Sequence, residues 1–379
     1  MEHKIKVLEC IRQGQIGGGE SHLLSLVENL DQSKFQPIVL SFTNGPMIER
    51  LNKMGIETHV IYTEKPFDIT KWKPVKKLLQ DKQIDLVHAH GTRANSNTLW
   101  AAKSLKIPVI YTIHGWSFHP DQNQIVKKLR IAGEKYLVKN STQNISVSVS
   151  NQQSGKAFIP SFNSVVINNG IDLKKFNPQN TYKNIRQELN IPEDKIIVLF
   201  IARFTIQKQP LALIKAFAKA VSLNPSLHLI MIGDGDQKKE AIEIIAQSGL
   251  GNNSTLLPFR QDVPDVLANA DIFVLPSLWE GLPIGLLEAM AMGKAVIASN
   301  VDGTSEVIQQ NKNGLLIETT NLSANLANAL SVLSNHKEMR ERFGNEAINT
   351  INNRYNAANM TRAIENIYSK TVNSHTPNS

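Results

Sequence analysis

The sequence predicts an α/β protein built from two doubly wound, Rossmann-like halves, and three observations carry that prediction. Short apolar runs rich in β-branched residues alternate with helix-length amphipathic stretches along almost the whole chain, the pattern of parallel strands joined by crossover helices. The alternation pauses at a polar, proline-containing stretch, FNPQNTYKN, which starts at Phe176, and then restarts. A chain of 379 residues also exceeds what one core ordinarily organises, so about two domains are expected.

In the first half, Lys4–Ile11 reads as a strand that runs into a glycine-rich turn, GQIGGGES (Gly14–Ser21), and a helix from about His22 to Leu30. There follow QPIVLSF, a helix over Met47–Met54, THVIYT, a helix over Trp72–Gln80, IDLVHAH, a helix over Ala94–Leu105 and PVIYTIHG. The stretch Asp121–Asn140 reads as a helix, and SVSVS (Ser146–Ser150) and VVINNGID (Val165–Asp172) as the last strands. The boundary is expected near Phe176–Lys183, giving domains over 1–176 and 183–352. The second half repeats the pattern: KIIVLFIARF, a helix over Pro210–Leu223, LHLIMIGDG, a helix over Lys238–Ser248, STLLPF and a helix over Val263–Ala268. It continues with the strand ADIFVLP (Ala270–Pro276), a short helix with Pro283 in its first turn, AVIAS and GLLIE. A last helix over about Ala357–Val372 is a candidate to pack back on the first domain, with SHTPNS fraying beyond it. Two such halves present their carboxyl strand ends to a ligand cleft between them.

Bulk properties narrow the function. No apolar run approaches the roughly 18–20 residues that span a bilayer, and Met1–Lys6 is charged rather than a leader, so a cytosolic protein is expected. The single cysteine, Cys10, lies in an apolar strand and reads as a buried structural thiol. Charge is lopsided: residues up to Asn180 hold 23 Lys+Arg against 14 Asp+Glu, the remainder 18 against 19. A basic first half suits an anionic partner or merely scattered solvated lysines. The 121–140 helix carries Lys127, Lys128, Arg130, Lys135 and Lys139 on one face, with Ile125, Val126, Leu129 and Leu137 on another. It therefore reads either as a membrane-surface helix or as an ordinary basic surface helix. Trp72, set among Lys71, Lys73, Lys76 and Lys77, is a second interface candidate.

The most specific stretch is PSLWEGLPIGLLEAMAMG, Pro276–Gly293. It places Glu280 in a loop and Glu288 on a helix whose N-terminal amides face the carboxyl edge of a sheet, a place that favours phosphate. Carboxylates beside a phosphate site make electrostatic sense when they accept hydrogen bonds from neutral hydroxyls, as of a sugar or ribose. Arg203 and Lys208, in IARFTIQKQ at another strand end, supply two cations that suit a diphosphate. The turn Gly233–Gly235 (GDG) passes a flat base or simply reverses the chain, and His88, His90 and His114 end strands as ligand or structural residues. Gly17–Gly19 lack both the G-x-G-x-x-G spacing and a following G-K-[ST], so dinucleotide and P-loop readings are weak.

Together IGGGE, TIHGW, NNGID, ARFTIQKQ, IGDG and the Glu280–Glu288 stretch resemble the GT4 family of retaining glycosyltransferases, in order and spacing along nearly the whole chain. The resemblance implies a two-domain GT-B fold, with a nucleotide-sugar donor held mainly by the second half and the acceptor mainly by the first. It implies no cofactor and no metal ion, and no Asp-x-Asp motif is present. By the same resemblance Arg203 and Lys208 bind the donor diphosphate, Gly18 and Gly19 offer it amides, and amides near Leu282 and Ile284 approach it. Glu288 accepts from the ribose, Glu280 holds hydroxyls of the transferred sugar rather than acting as a covalent nucleophile, and His114 sits close to the anomeric centre. Gly233, Asp234, Phe259 and Arg260 line the base pocket. Two departures stand out: Pro258 replaces a glycine in the base-pocket turn, and Asp302-Gly303 replaces a glycine pair.

The expectation is thus a retaining, metal-independent hexosyl- or N-acetylhexosaminyltransferase. Its donor would be a UDP-sugar and its acceptor a hydroxyl of a lipid-linked glycan or surface-polysaccharide precursor, with an anionic membrane surface as a further partner. The alternatives are a sugar-nucleotide epimerase of the same architecture and a non-catalytic nucleotide-sugar or membrane-binding protein. Nucleic acid is not expected, since no recognised binding module accompanies the basic residues.

Overall fold

A computed structural model describes residues 4–119 and 122–375; the expectations for Met1–His3, Asp121 and the tail beyond His375 lie outside the described residues. The chain forms two units, one running to Gly170 and resuming at Ala357, the other spanning Ile171–Asn356. The division precedes the expected linker, so 176–183 falls wholly within the second unit. There Phe176 is buried and the Tyr182 hydroxyl donates to Asn177 O at 2.7 Å. A stretch that is polar by composition is thus anchored by its two aromatic residues.

The first unit is a seven-stranded, all-parallel sheet of order β3-β2-β1-β4-β5-β6-β7. Its strands are β1 (Ile5–Ile11), β2 (Phe35–Ser41), β3 (Glu57–Val60), β4 (Leu86–His90), β5 (Val109–Ile113), β6 (Gln143–Ser146) and β7 (Val165–Val166). The crossover helices are α1 (Gly18–Asn29), α2 (Pro46–Lys53), α3 (Trp72–Asp81), α4 (Thr92–Ser104), α5 (Gln124–Asn140) and α6 (Val149–Phe158). Period-2 alternation sends Leu8, Cys10, Val87, Ala89, Tyr111 and Ile113 into one buried layer, and Val7, Leu86, Ile110 and Ile145 into the other. The second layer is closed by the C-terminal helix, Ala357–His375, through Met360, Ile364 and Tyr368. Cys10 is buried and unpaired.

Three local expectations are corrected here. Helix α1 begins at Gly18, not near His22, because extended Gly17 already acts as its N-cap and accepts from Ser21 N at 2.8 Å. SVSVS is not a strand: only Ser146 belongs to β6, and Ser148 caps α6 by accepting from Asn151 N at 3.0 Å. A serine ahead of a helix satisfies an amide that no strand partner would. VVINNGID gives only the two residues of β7, since Asn168 turns its amide onto Val147 O at 2.9 Å.

The second unit is a six-stranded parallel sheet of order β10-β9-β8-β11-β12-β13. The strands are β8 (Ile196–Ile201), β9 (Leu227–Ile232), β10 (Ser254–Leu257), β11 (Ile272–Leu275), β12 (Ala295–Ser299) and β13 (Leu315–Ile317). Its helices are α7 (Ile185–Glu188), α8 (Pro210–Leu223), α9 (Lys238–Gln247), α10 (Val263–Asn269), α11 (Ile284–Ala291) and α12 (Asp302–Val307). Two more, α13 (Leu322–Asn335) and α14 (Lys337–Arg354), had no counterpart in the sequence reading. Helix α14 is mostly polar, and Phe343, Gly344, Ala347 and Ile351 make up its narrow buried stripe. Each sheet reverses its strand order once, between β1 and β4 and between β8 and β11. Such switch points splay successive loops apart at the carboxyl ends of the strands and open a ligand site.

Candidate active site

In the second unit, the loops after β8, β11 and β12 meet at the switch point. Gln207 stitches the first two together, its side-chain Nε2 donating to Trp279 O at 2.8 Å while its main-chain carbonyl accepts from Leu278 N at 2.8 Å. That contact carries Lys208, in a short 3-10 turn (Ile206–Lys208), onto Glu280, and the two form an ion pair. Glu280 is 9% exposed and its own amide donates to Asp302 Oδ2 at 3.2 Å, so the third loop fixes the backbone that aims it. Asp302 holds φ +33°, a conformation a glycine takes freely. Burial raises its carboxyl above the ordinary range, helped by the charges of Glu280 and Glu306. Gly303 is pressed against the same loop, where a Cβ would lie 1.9 Å from Gly281 O. Asp302 was the missed residue here; its replacement of glycine beside Gly303 was the available signal.

Pro283 is the N-cap of α11 rather than a residue of its first turn, and Leu282 and Ile284 bury their side chains. The first amides of α11, Ile284 N included, have no intrahelical acceptor. Glu288 lies one turn further on, partly buried. Burial pushes its carboxyl up to about 7, while the Lys175 ammonium pulls the other way. Arg203 is exposed on the loop after β8. Two buried hydroxyls in these loops, Thr205 Oγ1 and Ser277 Oγ, find no partner among the described residues.

The GDG turn is first of all structural. Gly233 (φ +144°) and Gly235 (φ +155°) pack against the 202–204 backbone, where a Cβ on either would lie 2.1 Å from Ala202 O or 2.4 Å from Phe204 O. Phe204 N donates to Asp234 O at 2.8 Å, so the turn and the arginine-bearing loop hold each other. The Asp234 side chain is exposed and accepts from Gly235 N at 2.8 Å. Of the base-pocket candidates, Phe259 is exposed, whereas Arg260 is committed to Asp262 and Glu188, whose carboxylates hold its guanidinium protonated. That ion-pair network anchors the turn after β10 on α7 and draws Arg260 away from the role of a loose cation.

In the first unit the carboxyl ends of β1, β4 and β5 gather Glu9, His88, His90 and His114 beside His22 of α1. Gly19 lies over the His114 ring, with room for a Cβ 3.5 Å from its Cδ2, and Gly18 faces open space. Both sit in the first turn of α1, whose amides are unspent. Gly14, by contrast, packs backbone to backbone on Gly45, with a Cβ only 2.5 Å from Gly45 N. His114 is the partly exposed member of the histidine group; His22, His88 and His90 are buried. Burial, reinforced by the neighbouring histidines, holds His114 well below its ordinary pKa. Burial likewise lowers His22 to about 3 and His90 to about 4. The sets His22/His90/His114 and Glu9/His88/His90 each hold donor atoms within 4.8 Å of one another and are the groups among the described residues with metal-ligand spacing. In the second set every member is already hydrogen-bonded to protein. Glu9 and Tyr368 were missed from sequence, although a carboxylate inside the apolar strand KVLECI was itself the signal.

Of the two basic surface candidates, Trp72 is half-buried and packs against the core layer, with Lys76 Nζ 5.4 Å above it. On α5, Leu137 is buried, but Ile125, Val126 and Leu129 are exposed at 70%, 42% and 68% among Lys127, Lys128 and Arg130.

A family model described as Glycosyltransferase Family 4 matches residues 16–175, and one described as Glycosyl transferases group 1 matches 181–350. The chain belongs to the group 1 glycosyltransferases of family GT4. This glycosyltransferase is 28% identical over 376 residues to an Escherichia coli UDP-Gal:alpha-D-GlcNAc-diphosphoundecaprenol alpha-1,3-galactosyltransferase, covering 96% of this chain and 97% of that one. It is also 28% identical over 309 residues to a Campylobacter jejuni N,N'-diacetylbacillosaminyl-diphospho-undecaprenol alpha-1,3-N-acetylgalactosaminyltransferase, covering 77% and 80% of the two chains. Its structure matches that of the Anabaena protein HepE in complex with UDP and glucose, with a TM-score of 0.84 at 22% identity, over 96% and 99% of the chains. The fold of this glycosyltransferase is GT-B.

Proposed function

We propose that this glycosyltransferase moves a hexose or N-acetylhexosamine from a UDP-sugar, with retention, to a hydroxyl of a lipid-linked glycan precursor. The observation that carries the reading is the Lys208–Glu280 pair at the second switch point, on loops that also carry Arg203 and lead into α11, the helix of Glu288. Such a set takes a diphosphate on its cations and amides and neutral hydroxyls on its carboxylates. The two diphosphoundecaprenol-directed relatives and the UDP-bound structural neighbour support the same donor and acceptor classes.

When donor arrives, Lys208 exchanges Glu280 for the diphosphate, and Glu280 turns to sugar hydroxyls. The acceptor oxygen then bonds to the anomeric carbon on the face the leaving group departs, the carbon–phosphate-oxygen bond breaks, and the acceptor proton passes to the departing phosphate oxygen. Arg203 and Lys208 stabilise the charge that develops there, the work a metal ion does in other transferases. In the first unit, His114 and the first-turn amides of Gly18 and Gly19 lie together at the carboxyl edge of the sheet. A screen of UDP-, GDP- and ADP-sugars by thermal shift and donor hydrolysis tests the reading. Stabilisation and slow hydrolysis with a UDP-sugar are expected; a response confined to GDP- or ADP-sugars removes the uridine assignment, and an epimer formed without acceptor removes the transferase.

Ribose binding by Glu288 predicts a pH dependence. A carboxylate accepts from both ribose hydroxyls, whereas a carboxylic acid must first lose a proton, and the group is raised to about 7. UDP affinity should therefore rise with pH to a plateau above 7 and fall about tenfold per unit below it. Calorimetric titrations from pH 5.5 to 8.5 check this, with Glu288→Gln expected to bind weakly and flatly throughout.

The exposed face of α5 is the proposed contact with the membrane that carries the acceptor. Apolar side chains set among lysines suit an anionic interface. The protein should co-sediment with phosphatidylglycerol vesicles at low salt and lose most of that binding as Ile125→Ser/Leu129→Ser. Equal retention by wild type and variant takes α5 out of the role.

A further inference from the structure

Behind His114 stand Glu9, His88 and His90, all buried. Their hydrogen bonds form one line: Glu9 Oε2 to His90 Nε2 at 2.9 Å, and His90 Nδ1 to His114 Nε2 at 3.1 Å. The other carboxylate oxygen, Oε1, accepts from the Tyr368 hydroxyl at 2.7 Å. That hydroxyl, having spent its proton, meets His88 Nδ1 at 2.5 Å, and His88 Nε2 meets Thr112 Oγ1 at 2.7 Å.

Proton counting assigns every position. Burial alone would raise the Glu9 carboxyl, but His88 and His90 outweigh it and hold the group well below the usual carboxylate range, so it is an ion that only accepts. His90 must then donate from Nε2, and as a neutral imidazole it has a lone pair at Nδ1. His114 must fill that lone pair from its own Nε2–H, and its Nδ1 is left as an acceptor. On the other branch, His88 donates from Nδ1 to the tyrosine oxygen and accepts the threonine proton at Nε2. No site in the line is left with two protons or with none.

We propose that Glu9 and His90 are positioning residues that fix His114 as the neutral Nε2–H tautomer, presenting its Nδ1 as the hydrogen-bond acceptor for a ligand hydroxyl at the carboxyl edge of the first sheet. The ligand contact rests on the functional reading above; the tautomer rests on the hydrogen bonds alone. The partial exposure of His114, where the other histidines are buried, makes it the end of the line that a ligand can reach. A carboxylate that sets an imidazole's tautomer through one ring nitrogen defines what the other nitrogen can do. The arrangement also gives the C-terminal helix a role, because Tyr368 donates to the second oxygen of Glu9, while the first accepts from His90 and lies 3.2 Å from His88 Nδ1.

The test uses the full-length protein labelled with 15N-histidine and two-bond 1H–15N correlation spectra at pH 7.5. In wild type, His90 and His114 are expected as Nε2–H tautomers and His88 as Nδ1–H. In Glu9→Gln, the new amide donates to His90 Nε2, and both His90 and His114 should switch to Nδ1–H. The same variant should lose about 10²-fold in kcat with donor KM nearly unchanged, because the diphosphate and ribose contacts lie on other residues. Tyr368→Phe, which leaves the Glu9–His90 bond in place, should keep the wild-type tautomer of His114. A wild-type His114 found as Nδ1–H or as imidazolium overturns the proposal, and this needs no variant to fold. So does a folded Glu9→Gln protein with an unaltered tautomer or unaltered kcat. A wild type that turns over no UDP-sugar overturns the functional reading instead and leaves the spectra to decide the tautomer.

Discussion

Lys208→Ala lowers kcat by about 10²- to 10³-fold at saturating UDP-sugar, the usual loss when one stabiliser of developing charge is removed. The substitution does two things that must be separated. It removes a cation from the diphosphate, and it leaves Glu280, only 9% exposed, without its partner. Breaking a largely buried pair from one side typically costs about 1–3 kcal/mol, because the remaining charge stays desolvated. The double variant Lys208→Ala/Glu280→Ala should recover much of that stability in a denaturant titration and recover none of the turnover. A single variant with near-normal kcat excludes Lys208 from charge stabilisation, however stable it proves. Equal stability of single and double variants would show that the unpaired Glu280 carboxylate costs the fold nothing.

Gly303→Ala is the second large effect expected, and it needs no contact between Gly303 and substrate. The new Cβ would fall 1.9 Å from Gly281 O, 2.7 Å from Gly281 C and 3.0 Å from Leu282 Cα. All three are backbone atoms, so no side chain can swing aside and the 280–283 loop itself must shift. Overpacking of this kind costs about 3 kcal/mol. Displacing that loop by about 1 Å moves Glu280 and the N-terminus of α11 together, and such a misplacement costs about 10²-fold in kcat/KM. Thermal melts and steady-state kinetics on one preparation check both, and wild-type values in each would show the loop to be free of Gly303. As a comparison, Asp302→Gly should keep the loop in place while losing the bond to Glu280 N, so its kinetic effect should be much the smaller.

Much of the architecture is legible in the sequence. Pro210–Leu223 was read to the residue, since proline at the first helical position punctuates its start and a continuous apolar face marks its length. The buried strands declared themselves because a parallel sheet covered on both sides leaves no place for polar residues. Local competition explains the misreadings. SVSVS has strand composition but carries a capping serine, and the glycines of 17–19 read as a turn although two of them open a helix. Helix α14 escaped notice because its buried stripe is narrow on a polar background. The expected boundary fell late because linker composition and anchoring are different properties, and Phe176 and Tyr182 tie that polar stretch into the second unit.

By itself the sequence determined the alternation, and with it the strand ends at which Arg203, Lys208, Glu280, Glu288 and His114 had to appear. Period and punctuation are local properties, so they survive without knowledge of the fold. Which of these residues would meet was a matter of register and neighbourhood. Lys208 and Glu280, 72 positions apart, pair because β8 lies beside β11. Arg260 is tied to Glu188, another partner 72 positions away. Glu9, overlooked as one residue of an apolar strand, is held below the usual carboxylate range by His88 and His90 against its burial, and accepts from a tyrosine 359 positions further along. Burial makes a lone carboxylate costly, and only the folded chain supplies the donors that make it stable.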